Sequence, residues 1–505
     1  MTITRQRLRW SKIHVTGKLD IQRLLQTAAE HQRAGRLGEA EPILRRVLKS
    51  QPRNMDGLYL LGLLTQATGR FAESVELFQR AVHENPRSAK YLVNLGLSLG
   101  GMGLGRTGEA MEALRAAVAI DPDIPAAWSN LGNEFRNDLR FEEAIDAYQR
   151  ALRLKPDFAD AQLNLGASLQ ETEPTLQPAI DAYRKAIALQ PDFATAHWNL
   201  GFALLLSGDY ERGLPEYEWR MKTRSIVQPR NFPAPMWDGG DLMGKRILLH
   251  AEQGLGDSIQ MARYIPMVAG RGGEVIVECP APLVRLLGDL PGVVQILAGG
   301  EALPAFDLHC PLMSLPLIFK TMVGTIPWPG AYLRADPKMA EQWSRRIPAE
   351  SDRPRVGLVW AGRPENKVDR KRSMRLEQFA PLAGIKNVRF FSVQKGPAGG
   401  QARRPPGGME LIDYTEELHD FTDTAAMIAN LDLIVTVDTS IAHLAGALGR
   451  PAWVLLPRSP DWRWMLERED SPWYPTVRLF RQKVRGDWGE VVERVRGELG
   501  TARVI

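Results

Sequence analysis

The chain has 505 residues, 44% hydrophobic and 24% charged, which is the composition of an ordinary globular protein and enough chain for two or three domains. Its formal charge of +5 is mild for this length, and Lys and Arg form no long block, so the balance allows an anionic small ligand but gives no support to nucleic-acid binding. Two cysteines, Cys279 and Cys310, make no disulfide framework or cysteine-based zinc site, and neither a signal peptide nor a membrane span is readable, so a cytoplasmic protein is expected.

Residues 1–20 read as a tail, and residues 21–222 as a repeat array. Prolines recur at Pro52, Pro86, Pro122, Pro156 and Pro191, at intervals of 34, 36, 34 and 35 residues. In the clearest unit, AAWSNLGNEFRNDLRFEEAIDAYQRALRLKPD, Trp128, Leu131, Gly132 and Phe135 share one helix, and Ala144, Tyr148 and Ala151 share the next. Large side chains on one helix then meet small ones on its partner, and Pro156 ends the unit. This pattern resembles the tetratricopeptide repeat, which implies an all-α solenoid of stacked helix pairs with a concave inner surface. GGMGLGRTG lengthens the third unit and ETEPTLQP the fifth.

Asn94, Asn130, Asn164 and Asn199 each directly precede the Leu-Gly of their unit, whereas the second unit has Leu60 in that slot. In this repeat family the position faces the groove. An amide both donates and accepts, so a row of them can hold an extended peptide backbone without reading its sequence. The row resembles the asparagine ladder of the O-GlcNAc transferases, which implies a protein acceptor bound in the groove. Against this stands the plainer reading of an amide tolerated on a solvated face.

Residues 223–243, rich in Pro and Gly, read as a linker. Within 244–337, KRILLHAEQGLGDSIQMARYIPMVAGRGGEVIVECP reads strand, glycine loop, helix, strand. Within 338–505, RVGLVWAG, VRFFSVQ, LDLIVTV and AWVLLP are four short apolar strands with helices between them. Two such α/β halves predict two Rossmann-like domains, with a ligand at the carboxyl ends of the strands.

Gly256-Asp257 after the first strand, VGLVWAG opening the second half and DTSIAHLAGALGRP near its end resemble, in that order, the lipopolysaccharide heptosyltransferases, which are GT-B glycosyltransferases. The whole plan is similar to bacterial repeat-plus-glycosyltransferase proteins that include soluble flagellin glycosyltransferases. The resemblance implies an acceptor side in 244–337, a nucleotide-sugar donor side in 338–505, and transfer to a hydroxyl of a protein, with a flagellin-like acceptor among the options. It further implies that Thr439 and Ser440 contact the donor's diphosphate while Asp438 and His443 shape its pocket. Free N–H groups at a helix start favour a phosphate, but Asp, Thr and Ser are also ordinary helix caps.

Asp257 stands where the resembling enzymes carry their proposed base, on a loop with Gly254 and Gly256 and with His250 and Glu252 as substitutes. Asp257 and Gln260 also fit a capping box, so both roles stay open. GRPENKVDRKRSMR offers Arg363, Lys367, Arg370, Lys371, Arg372 and Arg375 to the charge that develops on a leaving nucleotide, and Gln394 and Lys395 occupy a comparable strand end. No Asp-x-Asp motif marks a strand end in this half, so neither a catalytic metal nor a bound cofactor is expected, the nucleotide sugar being a substrate. Trp462, Trp464, Trp473 and Tyr474 are assigned to the core. Two other functions compete: a repeat scaffold on a degenerate GT-B domain, and a glycosyltransferase acting on a glycan or lipopolysaccharide.

Overall fold

A computed structural model of the chain describes residues 20–501, apart from 225, 329, 348–352 and 366–368. Twelve helices come first: Ile21–Arg33 (α1), Leu37–Ser50 (α2), Met55–Ala67 (α3), Phe71–Glu84 (α4), Ala89–Gly101 (α5), Thr107–Ile120 (α6), Pro125–Asn137 (α7), Phe141–Leu154 (α8), Ala159–Thr172 (α9), Gln177–Leu189 (α10), Ala194–Leu206 (α11) and Tyr210–Tyr217 (α12). The chain divides into two compact units, one ending at Ser168 and the other beginning at Leu169, so the division falls inside α9.

In the first unit the helix pairs from α3–α4 to α7–α8 each close on a glycine. A Cβ on Gly132 would lie 2.7 Å from the Tyr148 ring, and one on Gly62 would lie 2.7 Å from the Phe78 ring. Only glycine admits those rings, which is the physical content of the Leu-Gly step in each unit. GGMGLGRTG forms the end of α5 and a single 3-10 turn, Leu104–Arg106, before α6. Glu134 is buried beside it, with an Oε1 that a Cβ on Gly100 would meet at 2.3 Å.

The second unit contains α10–α12 and two parallel sheets. The first sheet consists of Arg246–His250 (β1), Glu274–Cys279 (β2), Val293–Ala298 (β3) and Leu308–Pro311 (β4), in the order β3-β2-β1-β4. Part of the stretch read as linker extends it: Trp237 N–H donates to the His309 carbonyl at 2.8 Å, and His309 N–H to the Pro235 carbonyl at 3.1 Å. The second sheet consists of Arg355–Val359 (β5), Arg389–Ser392 (β6), Leu411–Asp413 (β7), Leu433–Val437 (β8), Ala452–Leu456 (β9) and Val477–Arg481 (β10), in the order β10-β9-β8-β5-β6-β7. Neither β7 nor β10 was among the four strands expected. β7 has only three residues, and in β10 Arg478 and Arg481 interrupt the apolar run. Val491, Val492, Val495 and Leu499 of the last helix complete this core against Val356, Leu358, Val435 and Val437.

The final repeat helices belong to the α/β core. Arg220, just past α12, is fully buried; it pairs with Glu252 at 2.9 Å and donates to Ser314 at 2.7 Å. The Trp473 indole donates to the Tyr210 hydroxyl at 3.0 Å. Among the described residues, no helix is long and apolar enough to cross a membrane.

Candidate active site

The order of the second sheet reverses between β5 and β8, and in a doubly wound sheet ligands bind at the carboxyl ends of the strands flanking that point. The loops that leave those ends are Trp360–Arg363 and Asp438–Ser440. Asp438 is buried, and burial raises its carboxyl to about 6 even though Arg372, 3.8 Å away, pulls it down. Thr439 is the N-cap of the helix Ser440–Ala447, its hydroxyl accepting from Ile441 N–H at 3.3 Å. His443 is enclosed: it meets the Tyr474 hydroxyl through Nδ1 at 3.0 Å and stacks on Trp464 at 5.4 Å. Burial, with Arg463, Arg263 and Arg372 nearby, holds the imidazole well below its ordinary pKa and therefore neutral. A Cβ on Gly256 would lie 2.7 Å from His443 Cδ2, so the glycine loop after β1 rests directly on this ring.

The basic segment divides. Arg363 is exposed, Lys367 lies outside the described residues, and Arg372 is half-buried between Asp438 and Asp369. Gln394 Oε1 accepts from the N–H groups of Trp360 at 2.9 Å and Ala361 at 2.8 Å, and its amide donates to the carbonyls of Ala361 and Lys395. All its hydrogen-bonding positions are therefore used in bracketing the end of β5. Lys395 donates to the Thr415 carbonyl at 2.7 Å.

At the end of β1 the capping pair differs from the expected one. Gly254 is the N-cap of the helix Leu255–Met261, and Asp257, at its third position, accepts from Gly254 N–H at 2.7 Å. Gln260 is buried and accepts from Arg463 instead, because the helix starts three residues earlier than an Asp257 cap would require. Arg463 also pairs with Asp257, and with Asp461 at 2.7 Å, so one buried guanidinium from beyond β9 fastens the loop of the first half. His250 is buried among Phe232 and His309, and burial, with Arg230 and His309, takes it down to about 3. Glu252 is buried against Arg220, and burial raises its carboxyl although Arg220 opposes this. Asp257 keeps 22% of its side chain exposed, against 2% for Glu252. Among the described residues, no cluster of three His, Cys, Asp or Glu could hold a metal ion.

The four asparagines are half-buried. Asn94 donates to the Lys90 carbonyl at 2.8 Å, and Asn164 to Asn133 Oδ1 at 3.1 Å, which the Tyr148 hydroxyl also contacts at 2.7 Å. Asn199 lies on α11 in the second unit. Asn133 and Arg463 are not among the residues the sequence singles out, and Tyr474, assigned to the core, is buried there against His443. Asn133 stands three residues after Asn130, one helical turn on, and that spacing could have found it.

Residues 419–469, which include the Asp438 to His443 stretch and Arg463, match the model of glycosyltransferase family 9 (heptosyltransferase). Residues 25–89, 63–125, 140–172 and 176–208 match tetratricopeptide repeat models. The chain thus carries tetratricopeptide repeats followed by a segment that matches glycosyltransferase family 9. Protein FlbA of Caulobacter vibrioides is 25% identical over 428 residues, covering 78% of this chain and 70% of its own. Two solved structures are similar to the repeats. PilW, a type IV pilus biogenesis factor, is 24% identical, covers 41% of this chain and 94% of its own, and has a TM-score of 0.36. MamA from Desulfovibrio magneticus RS-1 is 22% identical, covers 34% and 97%, and has a TM-score of 0.31.

Proposed function

We propose that this protein is a metal-independent GT-B glycosyltransferase that moves a sugar from a nucleotide-sugar donor to a hydroxyl of a protein acceptor recruited by the repeats. The observation that carries the reading is the reversal of strand order between β5 and β8, beyond whose ends Asp438, in the stretch matched to family 9, lies 3.8 Å from Arg372. The start of the helix Ser440–Ala447 receives the donor's diphosphate, and Arg372, with Arg363 and Lys367 of the same segment, offsets the charge that grows as the sugar leaves. These groups supply positive charge without a cation or a bound cofactor. His443 acts from behind, as the neutral ring that fixes the helix start against the glycine loop.

Asp257 is the acceptor's base, because it is the more accessible of the two carboxylates on its loop and His250 is enclosed. Arg463 orients it. In the first unit the half-buried amides of Asn94, Asn130 and Asn164 take the backbone of a polypeptide acceptor, of which a flagellin-like protein in the cytoplasm is one form. Full-length protein incubated with a panel of nucleotide sugars and protein acceptors should add one glycosyl mass to an acceptor, read by intact mass spectrometry. Mass gain on glycan or lipopolysaccharide acceptors alone would remove the recruiting role of the repeats. Failure of every nucleoside diphosphate to bind by calorimetry would leave a scaffold.

A further inference from the structure

The turn that carries Arg372 is held from two directions. On the sheet side, Ser373 Oγ accepts from Gly362 N–H at 2.8 Å, and Met374 N–H donates to the Trp360 carbonyl at 2.7 Å. On the other side stands the last turn of α9, a tetratricopeptide-repeat helix. Glu171 Oε1 lies 2.5 Å from Lys371 Nζ, with 14% and 28% of the two side chains exposed. The Glu171 carbonyl accepts from Arg485 at 2.7 Å, so its backbone is tied to the α/β region as well. Lys371 and Arg372 are neighbours on the helical turn Asp369–Arg372, and successive residues on a helix project about 100° apart. When Lys371 turns to Glu171, Arg372 is turned to Asp438 and Asp369.

From this geometry we infer that Glu171 is a positioning residue for donor binding: a repeat helix sets the aim of Arg372 by holding Lys371. The inference rests on the reading of the β5–β8 crevice as a nucleotide-diphosphate site. It makes the last turn of α9, which lies in the second unit, part of the donor side. Lys371 is then an anchor whose charge is directed at Glu171, and Arg372 is the group directed at phosphate.

Four full-length variants test it: Glu171→Gln, Glu171→Lys, Lys371→Glu and the double exchange Glu171→Lys/Lys371→Glu. Each is titrated with UDP, GDP, ADP and CDP by calorimetry, and kcat and KM are measured with whichever nucleotide sugar the wild type turns over. Glu171→Gln keeps shape and loses charge; it should weaken nucleotide binding and raise the donor KM by about 3- to 10-fold, with kcat within about twofold, as expected for a partly buried ion pair acting at one remove. Either charge reversal should weaken binding further, and the double exchange should recover most of the loss. A double exchange as weak as Lys371→Glu would make Lys371 itself a donor ligand and overturn the anchor. Wild-type affinity in Glu171→Gln would reduce the pair to a surface contact and overturn it too. If the wild type binds none of the four nucleotides, the donor reading of the crevice fails, and the anchor fails with it. Binding that Glu171→Gln leaves unchanged sinks the anchor alone.

Discussion

The carboxylates beyond the ends of β1 and β8 are paired at different distances. In the first half, Asp257 and Glu252 each carry an arginine brought from elsewhere: Arg463 from beyond β9 and Arg220 from the end of the repeats. In the second half, Asp438 has its arginine only at 3.8 Å, and burial raises it to about 6. A guanidinium in direct contact with a carboxylate is committed to it, whereas Arg372, 3.8 Å from Asp438 and 3.5 Å from Asp369, is held less closely. The contrast makes Arg372 the better placed of the two to meet the proposed donor, because Arg463 is engaged in holding the loop after β1.

The largest effect should come from Asp257→Asn. It should cut turnover by roughly the 10²–10⁴-fold typical of general-base loss while nucleotide affinity stays near wild type. Near-full turnover with a lowered melting temperature would make Asp257 only Arg463's counter-charge. Next comes Arg372→Ala, which should weaken nucleoside diphosphate binding by about 10- to 100-fold, the worth of a charge-assisted hydrogen bond. An unchanged affinity would erase the distinction between the two arginines.

Asp438→Asn sharpens the comparison through stability. Because the folded carboxyl titrates near 6 rather than its ordinary 3.8, the folded state binds that proton more tightly than the unfolded one. Its favourable contribution is complete below about pH 4 and is lost as pH rises through about 6. The Asn variant should therefore melt above wild type at pH 7–8, by up to about 1–3 kcal/mol, with the gap closing below pH 4. A constant gap across that range would show that Asp438 is not the group titrating. The smallest effect is expected for a carboxylate outside both halves. Burial raises Glu134 in the first unit, so Glu134→Gln should melt a few degrees higher above the carboxylate range, by roughly the amount one lost unfavourable charge is worth, and lose the gain in acid.

The array was readable because its signal is periodic: from the second unit on, each repeats the Leu-Gly step, and Gly132 against Tyr148 shows why the glycine recurs. β8 and the cap at Thr439 were readable because an apolar run followed by Asp-Thr-Ser is a local signal. The site's charge pairing was not, because Asp257 and Arg463 stand 206 residues apart and nothing in either neighbourhood names the other. β7, at three residues, is too short to show a period. The Asp257–Gln260 box failed for a related reason. The spacing was right for a cap, but Gly254 starts the helix, and a glycine there leaves no side-chain signal.

The division after Ser168 has a consequence for how such chains can be cut and joined. A fusion made after Lys222 would look natural by repeat counting, yet it would strip Glu252 of its buried counter-charge and the Trp473 indole of its acceptor, the Tyr210 hydroxyl. A seam at Ser168 keeps those partners with the α/β sheets, together with Glu171. Exchange of arrays between related enzymes, in the laboratory or by recombination, is therefore expected to be tolerated upstream of α10. The helices from there to Lys222 travel with the transferase.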